Sequence, residues 1–157
     1  NELIGALSAE LTARGAAVDT IAYPARRVTF VDEAAAVAAA APDAVVLVTP
    51  EYNGSLSSAV KNAVDWASRP RGASSIAGKP AAVIAASGAP RGAQWAREDG
   101  VKVLKVAGAD VIDDTVGVGS SFQAFVDGRL SDEALDADLR ALMQRLAGQV
   151  DSARAAA

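Results

Sequence analysis

The stretch Pro50-Glu51-Tyr52-Asn53-Gly54-Ser55 is where residue types and spacing could do chemistry, and that chemistry is ligand binding by main-chain amides. Pro50 fixes one dihedral and removes a donor, and Asn53-Gly54 allows positive φ, so the segment reads as a loop. Val45-Val46-Leu47-Val48 before it is a short run of branched and apolar residues, as a strand buried on both faces requires. Ser55 can cap a helix running from Leu56 to Trp66, with Leu56, Val60, Ala63, Val64 and Ala67 on one face. Strand, tight loop and helix in this order place loop amides and a helix N-terminus at the carboxyl edge of a parallel sheet, where open α/β sheets bind ligands. A second small-residue loop, Ser87-Gly88-Ala89-Pro90-Arg91-Gly92, follows the strand Ala81 to Ala86. By the same topology it sits beside the first.

Composition removes much other chemistry. The chain has no cysteine and no histidine, which excludes disulfides, thiol chemistry and zinc-thiolate sites, and removes the commonest general base. No catalytic side chain and no metal ligand set is assigned. A net charge of −4 without a basic cluster argues against nucleic acid. No apolar run reaches the ~18 residues of a membrane span, and no signal peptide, repeat or linker is visible. A cytoplasmic protein is the default reading.

At 157 residues the chain is long enough for one α/β domain with a substantial core, placed at 1–150, with a frayed tail at 151–157. Glu2 to Arg14 has Leu3, Leu7 and Leu11 on one helical face, with Asn1 as a cap and Gly15 as a stop. Val18 to Ala22 is a modest strand. A helix opens at Val31 or Asp32 and runs to Ala41, nearly all alanine after Glu33. Ser68 to Ile76 reads as a loop, in which Arg69 and Arg71 could bind a nucleotide phosphate or simply be solvated. Ala93 to Ala107 reads as a helix with Trp95, Val101, Leu104 and Val106 among its apolar positions and Gly100 as a weak point. Asp110 to Val118 supplies a last strand. Phe122 and Phe125 are expected to pack under the loop that leads to Asp127-Gly128. Ser131 caps a final helix with Leu135, Leu139, Leu142 and Leu146 on its apolar face. With a first strand upstream of Asn1, which is not a Met, this order builds a doubly wound parallel five-stranded sheet with helices on both faces.

Pro50 to Ser55, then Lys61-Asn62-Ala63 and Asp65-Trp66 with Ser68-Arg69-Pro70, resembles the signature of the NAD(P)H-dependent FMN reductase family. The similarity extends more loosely to about Leu146, through Ala77-Gly78-Lys79-Pro80, Ala86-Ser87-Gly88 and Asp127 to Glu133. The resemblance implies a flavodoxin-like fold. It implies that Pro50, Glu51, Tyr52, Asn53, Gly54 and Ser55, with Ser87, Gly88 and Ala89, hold FMN. Family members begin with a strand and a Ser- and Arg-containing loop that holds the FMN phosphate, and Asn1 looks like the last residue of that loop. The implied reaction passes hydride from NAD(P)H to FMN and then electrons to a quinone, flavin or other small acceptor. The resemblance also implies that the 56–67 helix, through Lys61, Asp65 and Trp66, makes a homodimer or homotetramer contact.

The residues fit that chemistry. A flavin does the redox work itself, and its ring edge needs backbone donors and close approach rather than a reactive side chain. Gly54 removes a Cβ, Ser87-Gly88-Ala89 lets a ring lie flat, and the following helix start gives a positive potential. Taken singly, each residue has a structural alternative: Tyr52 packing at the sheet edge, Glu51 solvated, Asn53-Gly54 an ordinary turn, Ser55 only a cap, Trp66 in the core. Two other functions stay open: a flavin-binding electron carrier, and a non-enzymatic flavodoxin-like interaction domain.

Overall fold

Ala81 to Ala85 have no solvent exposure, because they form the strand that all the longer pairings border. The computed structural model describes residues 43–156, with Gly5, Ser8, Ala9, Thr12, Ala13 and Ala17 before them. Gly5, Ser8, Ala9, Thr12 and Ala13 are helical, in keeping with the helix expected over Glu2 to Arg14. Asn1, the strand Val18 to Ala22 and the helix ending at Ala41 lie outside the described residues.

Among the described residues the elements run β1 (Val45–Tyr52), β2 (Ser55–Leu56), α1 (Ser58–Ala67), β3 (Pro80–Ala86), α2 (Gln94–Val106), β4 (Asp110–Val111), β5 (Val116–Val118), β6 (Phe125–Val126), β7 (Arg129–Leu130) and α3 (Glu133–Ala155). β1 pairs with β3 in parallel from Val45 opposite Ala81 to Pro50 opposite Ala86. β4 and β5 both pair in parallel with the other edge of β3. They occupy the place of the single strand expected over Asp110 to Val118, interrupted at Ile112 to Thr115. β2 is an antiparallel addition to β1, and β6 and β7 form a separate small ribbon.

Each face of the sheet has its own core, following the alternation of side chains along β3. Ala82 and Ile84 pack with Val116, Val118, Leu139, Leu142, Met143 and Leu146 beneath α3. Ala81 and Val83 pack with Leu47, Val60, Val64 and Leu104 beneath α1 and α2. Helices therefore cover both faces, as expected. Gly100 is less a weak point than a close approach: a Cβ there would lie 2.9 Å from Val83 Cγ1 and 3.3 Å from Leu47 Cδ2.

Several boundaries differ from the sequence reading. α1 begins at Ser58, because Ser57 caps it and accepts the Val60 amide, while Leu56 is buried from strand β2. Asp132 rather than Ser131 caps α3, accepting the Ala134 and Leu135 amides at 2.9 and 3.1 Å. α3 runs through Ala155 instead of fraying after Val150, and Arg154 near its end pairs with Asp43. Phe125, expected under the loop that leads to Asp127-Gly128, is partly buried against the α3-side core. Phe122 is not: it is 93% exposed.

Candidate functional site

The pairing of Pro50 with Ala86 ends the long parallel ladder and sets the two candidate loops side by side at the carboxyl edge. Tyr52 and Gly88 each stand two residues beyond that pair. In the first loop Tyr52 pairs with Ser55 across Asn53 and Gly54, whose φ values are 51° and 74°. This is the positive-φ pair of a two-residue hairpin turn, and Asn-Gly is the sequence that tolerates it best. Tyr52, Asn53 and Pro50 are exposed, and Gly54 and Ser55 are half-buried.

Two side chains of this loop have structural partners far along the chain. Glu51 Oε2 accepts the backbone N–H groups of Trp95 and Ala96 at 3.0 and 3.2 Å. These belong to the first turn of α2, whose own cap position, Ala93, has φ 52° and no side-chain hydrogen bond. Glu51 thus supplies the acceptor that the helix start lacks, and its negative charge suits the positive end of the helix. Ser55 does not cap α1; its hydroxyl donates to Asp99 on α2, which also pairs with Lys102. Those contacts hold the Asp99 carboxyl below the usual carboxylate range, the Lys102 bond first and the Ser55 bond second.

The second loop is fastened to the segment after β5. The Ser87 amide donates to Val118 O at 2.9 Å, Ser121 to Ser87 O at 3.0 Å, and Ser120 to Ala89 O at 3.2 Å. Ser87 Oγ accepts the Ala89 amide at 3.2 Å. The main chains come so close that a Cβ at Gly119 would lie 2.5 Å from Pro90 O. Arg97 adds a clamp: Nε donates to Gly92 O at 2.9 Å and Nη1 to Thr115 Oγ1 at 2.8 Å.

Three aromatic side chains that the sequence reading did not assign together meet these loops or lie in them. Trp95, 48% exposed, lies against Gly54, where a Cβ would be 3.3 Å from its ring. The Arg91 guanidinium stands 4.7 Å from the centre of that ring, a cation–π distance. Phe122 lies on Gly88, where a Cβ would be 2.7 Å from Cε2. Tyr52 is 61% exposed. The sequence signal for Phe122 was an aromatic among small and polar residues, three before Phe125; for Trp95 it was its place at a helix start. Arg69 and Arg71 are exposed on the loop after α1. A cleft of about 450 Å³ at the same edge is lined by Pro90, Gly119, Ser120 and Gln123 together with Asp132 and Leu135 at the start of α3, and by none of the described residues expected to hold FMN. Among the described residues no cluster of acidic side chains could hold a metal ion.

Small residues of the two loops thus lie against aromatic rings, Gly54 against Trp95 and Gly88 against Phe122, with the Glu51 carboxylate already committed to a helix terminus. The profile of the NADPH-dependent FMN reductase family matches residues 25–123. This chain belongs to that family. A 2-hydroxy-1,4-benzoquinone reductase of a Burkholderia species is 56% identical over 45 residues, which cover 29% of this chain and 25% of that protein. An NAD(P)H-dependent FMN reductase of Pseudomonas aeruginosa is 53% identical over 47 residues, 30% of this chain and 25% of the relative. The matched stretch thus spans about a quarter of the length of these curated relatives. The structure is similar to FerB, a flavoenzyme NAD(P)H:(acceptor) oxidoreductase from Paracoccus denitrificans, with a TM-score of 0.72 and 26% identity over 96% of this chain and 88% of that one. An oxidoreductase from Corynebacterium diphtheriae shares the fold, with a TM-score of 0.58 and 19% identity over 96% of this chain and 84% of that one. The chain is accordingly an α/β protein of flavodoxin-like architecture.

Proposed function

We propose that this protein is an FMN-dependent NAD(P)H oxidoreductase that passes electrons to a quinone, a flavin or another small acceptor. The observation that carries the reading is the placement of Tyr52 to Ser55 beside Ser87 to Ala89 at one sheet edge, in a chain of the FMN reductase family. The homologous quinone and FMN reductases support the same direction.

FMN, when bound, supplies the hydride-accepting ring. In the overall balance NAD(P)H, one proton and a quinone become NAD(P)⁺ and a quinol. The chain's own residues bind and orient. The hairpin turn at Asn53-Gly54 would offer main-chain groups to the ring edge, and Gly88 and Ala89, which carry little or no side chain, would leave room for a flat ring. The N-terminus of α1, with no acidic residue in its first turn, favours negative charge nearby. Asn1 would meet the phosphate. The reading takes 1–150 as a single domain working in the cytoplasm; among the described residues no helix is long and apolar enough to cross a membrane. It further takes the chain to assemble as a homodimer or homotetramer through α1, where Trp66 is 47% exposed.

Titration of the full chain with FMN, FAD and riboflavin, followed by quenching of flavin fluorescence, tests the binding. Saturable FMN binding is expected, with NAD(P)H oxidation by 1,4-benzoquinone that depends on added FMN. FMN binding without NAD(P)H oxidation would leave an electron carrier. Failure to bind any flavin would leave an interaction domain.

A further inference from the structure

We propose that Phe122 is a contact of the flavin ring: its side chain turns off Gly88 as the ring enters and then stacks against it. The inference rests on the flavin reading above and adds a residue from a third loop, after β5.

The main chain that carries Phe122 is fixed relative to the Gly88 loop. Ser121 donates to Ser87 O and Ser120 to Ala89 O, and Gln123 closes a turn on Ser120 O at 2.8 Å. The Phe122 side chain, 93% exposed, has room to change rotamer on that backbone. In this structure it touches Gly88, where a Cβ would be 2.7 Å from its ring. That is the surface on which the flavin reading lays the isoalloxazine. The present contact is slight, since the ring remains 93% exposed. Leaving Gly88 therefore costs little burial, and rotamer changes of exposed side chains are fast. Covering a planar ligand would bury a face that now meets water and would add an aromatic pair. The β1–β3 ladder ends at Pro50 opposite Ala86, so Tyr52, 61% exposed, and Gly88 each follow the end of neighbouring strands.

A phenyl group has no hydrogen-bonding atom, so the contact is to the ring system and not to the phosphate. This separates it from an effect on the phosphate loop. The full chain, Phe122→Ala and Phe122→Tyr are titrated with FMN and with riboflavin, and their urea midpoints are measured in parallel. Phe122→Ala is expected to weaken FMN and riboflavin by the same factor, about 3- to 10-fold as a lost aromatic pair implies. Phe122→Tyr is expected to bind as the unaltered chain does, and the midpoints should agree because the side chain buries so little. Unchanged or tighter binding by Phe122→Ala overturns the inference, tighter binding meaning that the ring merely obstructs Gly88. A loss confined to FMN overturns it too. An unaltered chain that binds neither flavin removes the flavin reading and this inference together, whereas an unaltered chain that binds as Phe122→Ala does removes the inference alone.

Discussion

The Glu51 carboxylate accepts the Trp95 amide at 3.0 Å, joining the first candidate loop to the start of α2 across a sequence separation of 44 residues. The same oxygen takes the Ala96 amide. Because Ala93 offers no side-chain cap, the start of α2 depends on a residue from another strand. That makes Glu51 a positioning residue: it holds the hairpin turn and the end of the second loop in one arrangement.

Removing the acceptor should therefore cost stability as a lost N-cap does. Glu51→Ala is expected to lower unfolding free energy by about 1–2 kcal/mol, and Glu51→Gln by less, since an amide oxygen still accepts. Urea denaturation measures both. Equal midpoints for all three proteins would show that the bonds to α2 contribute nothing.

Gly100 supplies a test of how closely α2 lies on the sheet. Alanine favours a helix over glycine by about 1 kcal/mol, so an exposed Gly100→Ala would stabilise. Here the new Cβ would sit 2.9 Å from Val83 Cγ1, on a stiff side chain with no solvent exposure. Overpacking of that kind costs about 1–3 kcal/mol, so the net effect is expected to be destabilising by about 1 kcal/mol. A raised melting temperature for Gly100→Ala would contradict the close packing.

The sequence made the parallel ladder legible because Val45 to Val48 and Ala81 to Ala86 are apolar without interruption, and such runs suit strands covered on both faces. The Asn53-Gly54 turn was legible for a local reason, its tolerance of positive φ. What stayed hidden depended on partners distant in the chain. Ser55 and Ser57 are equally good caps by residue type, and only the pairing of Tyr52 with Ser55 shows that the chain is still in a hairpin at Ser55. Glu51 read as part of the flavin loop, or taken singly as solvated, and its bonds to α2 stayed hidden because nothing near it in sequence needs an acceptor. Phe122 was expected under the loop that leads to Asp127-Gly128 because phenylalanine is usually buried; the bonds from Ser120 and Ser121 hold the neighbouring backbone to the Gly88 loop instead, and its ring is exposed.

Asp99 links stability to acidity. Its carboxyl is held below the usual range by Lys102 and then by Ser55. A carboxyl with a lowered folded-state pKa contributes stability that is fully present above its unfolded value, about 3.9, and disappears as the pH falls through the lower folded value. Asp99→Asn should thus be less stable than the unaltered chain at pH 7, and the gap should close on acidification below about pH 4. Urea midpoints from pH 7 to pH 3 decide it; a gap that stays constant would mean that ionisation of Asp99 does not stabilise the fold.

The outer surface of α1 is the last relationship to be tested. Lys61 and Asp65 are bonded at 2.6 and 2.7 Å, but both are exposed and lysine comes first, so the pair is worth at most about 0.5 kcal/mol to the helix. Trp66 beside them is 47% exposed, although Val60, Val64 and Ala67 of the same helix are buried. A half-exposed tryptophan gains most where another surface covers it, and tryptophan is enriched at the centres of protein interfaces. If α1 meets a second copy, light scattering of the full chain should give a mass above that of one chain, and Trp66→Glu should return the mass to that of a monomer with little loss in the urea midpoint. A monomer at every concentration of the unaltered chain would remove the interface. An assembly that Trp66→Glu leaves intact would place it elsewhere on the surface.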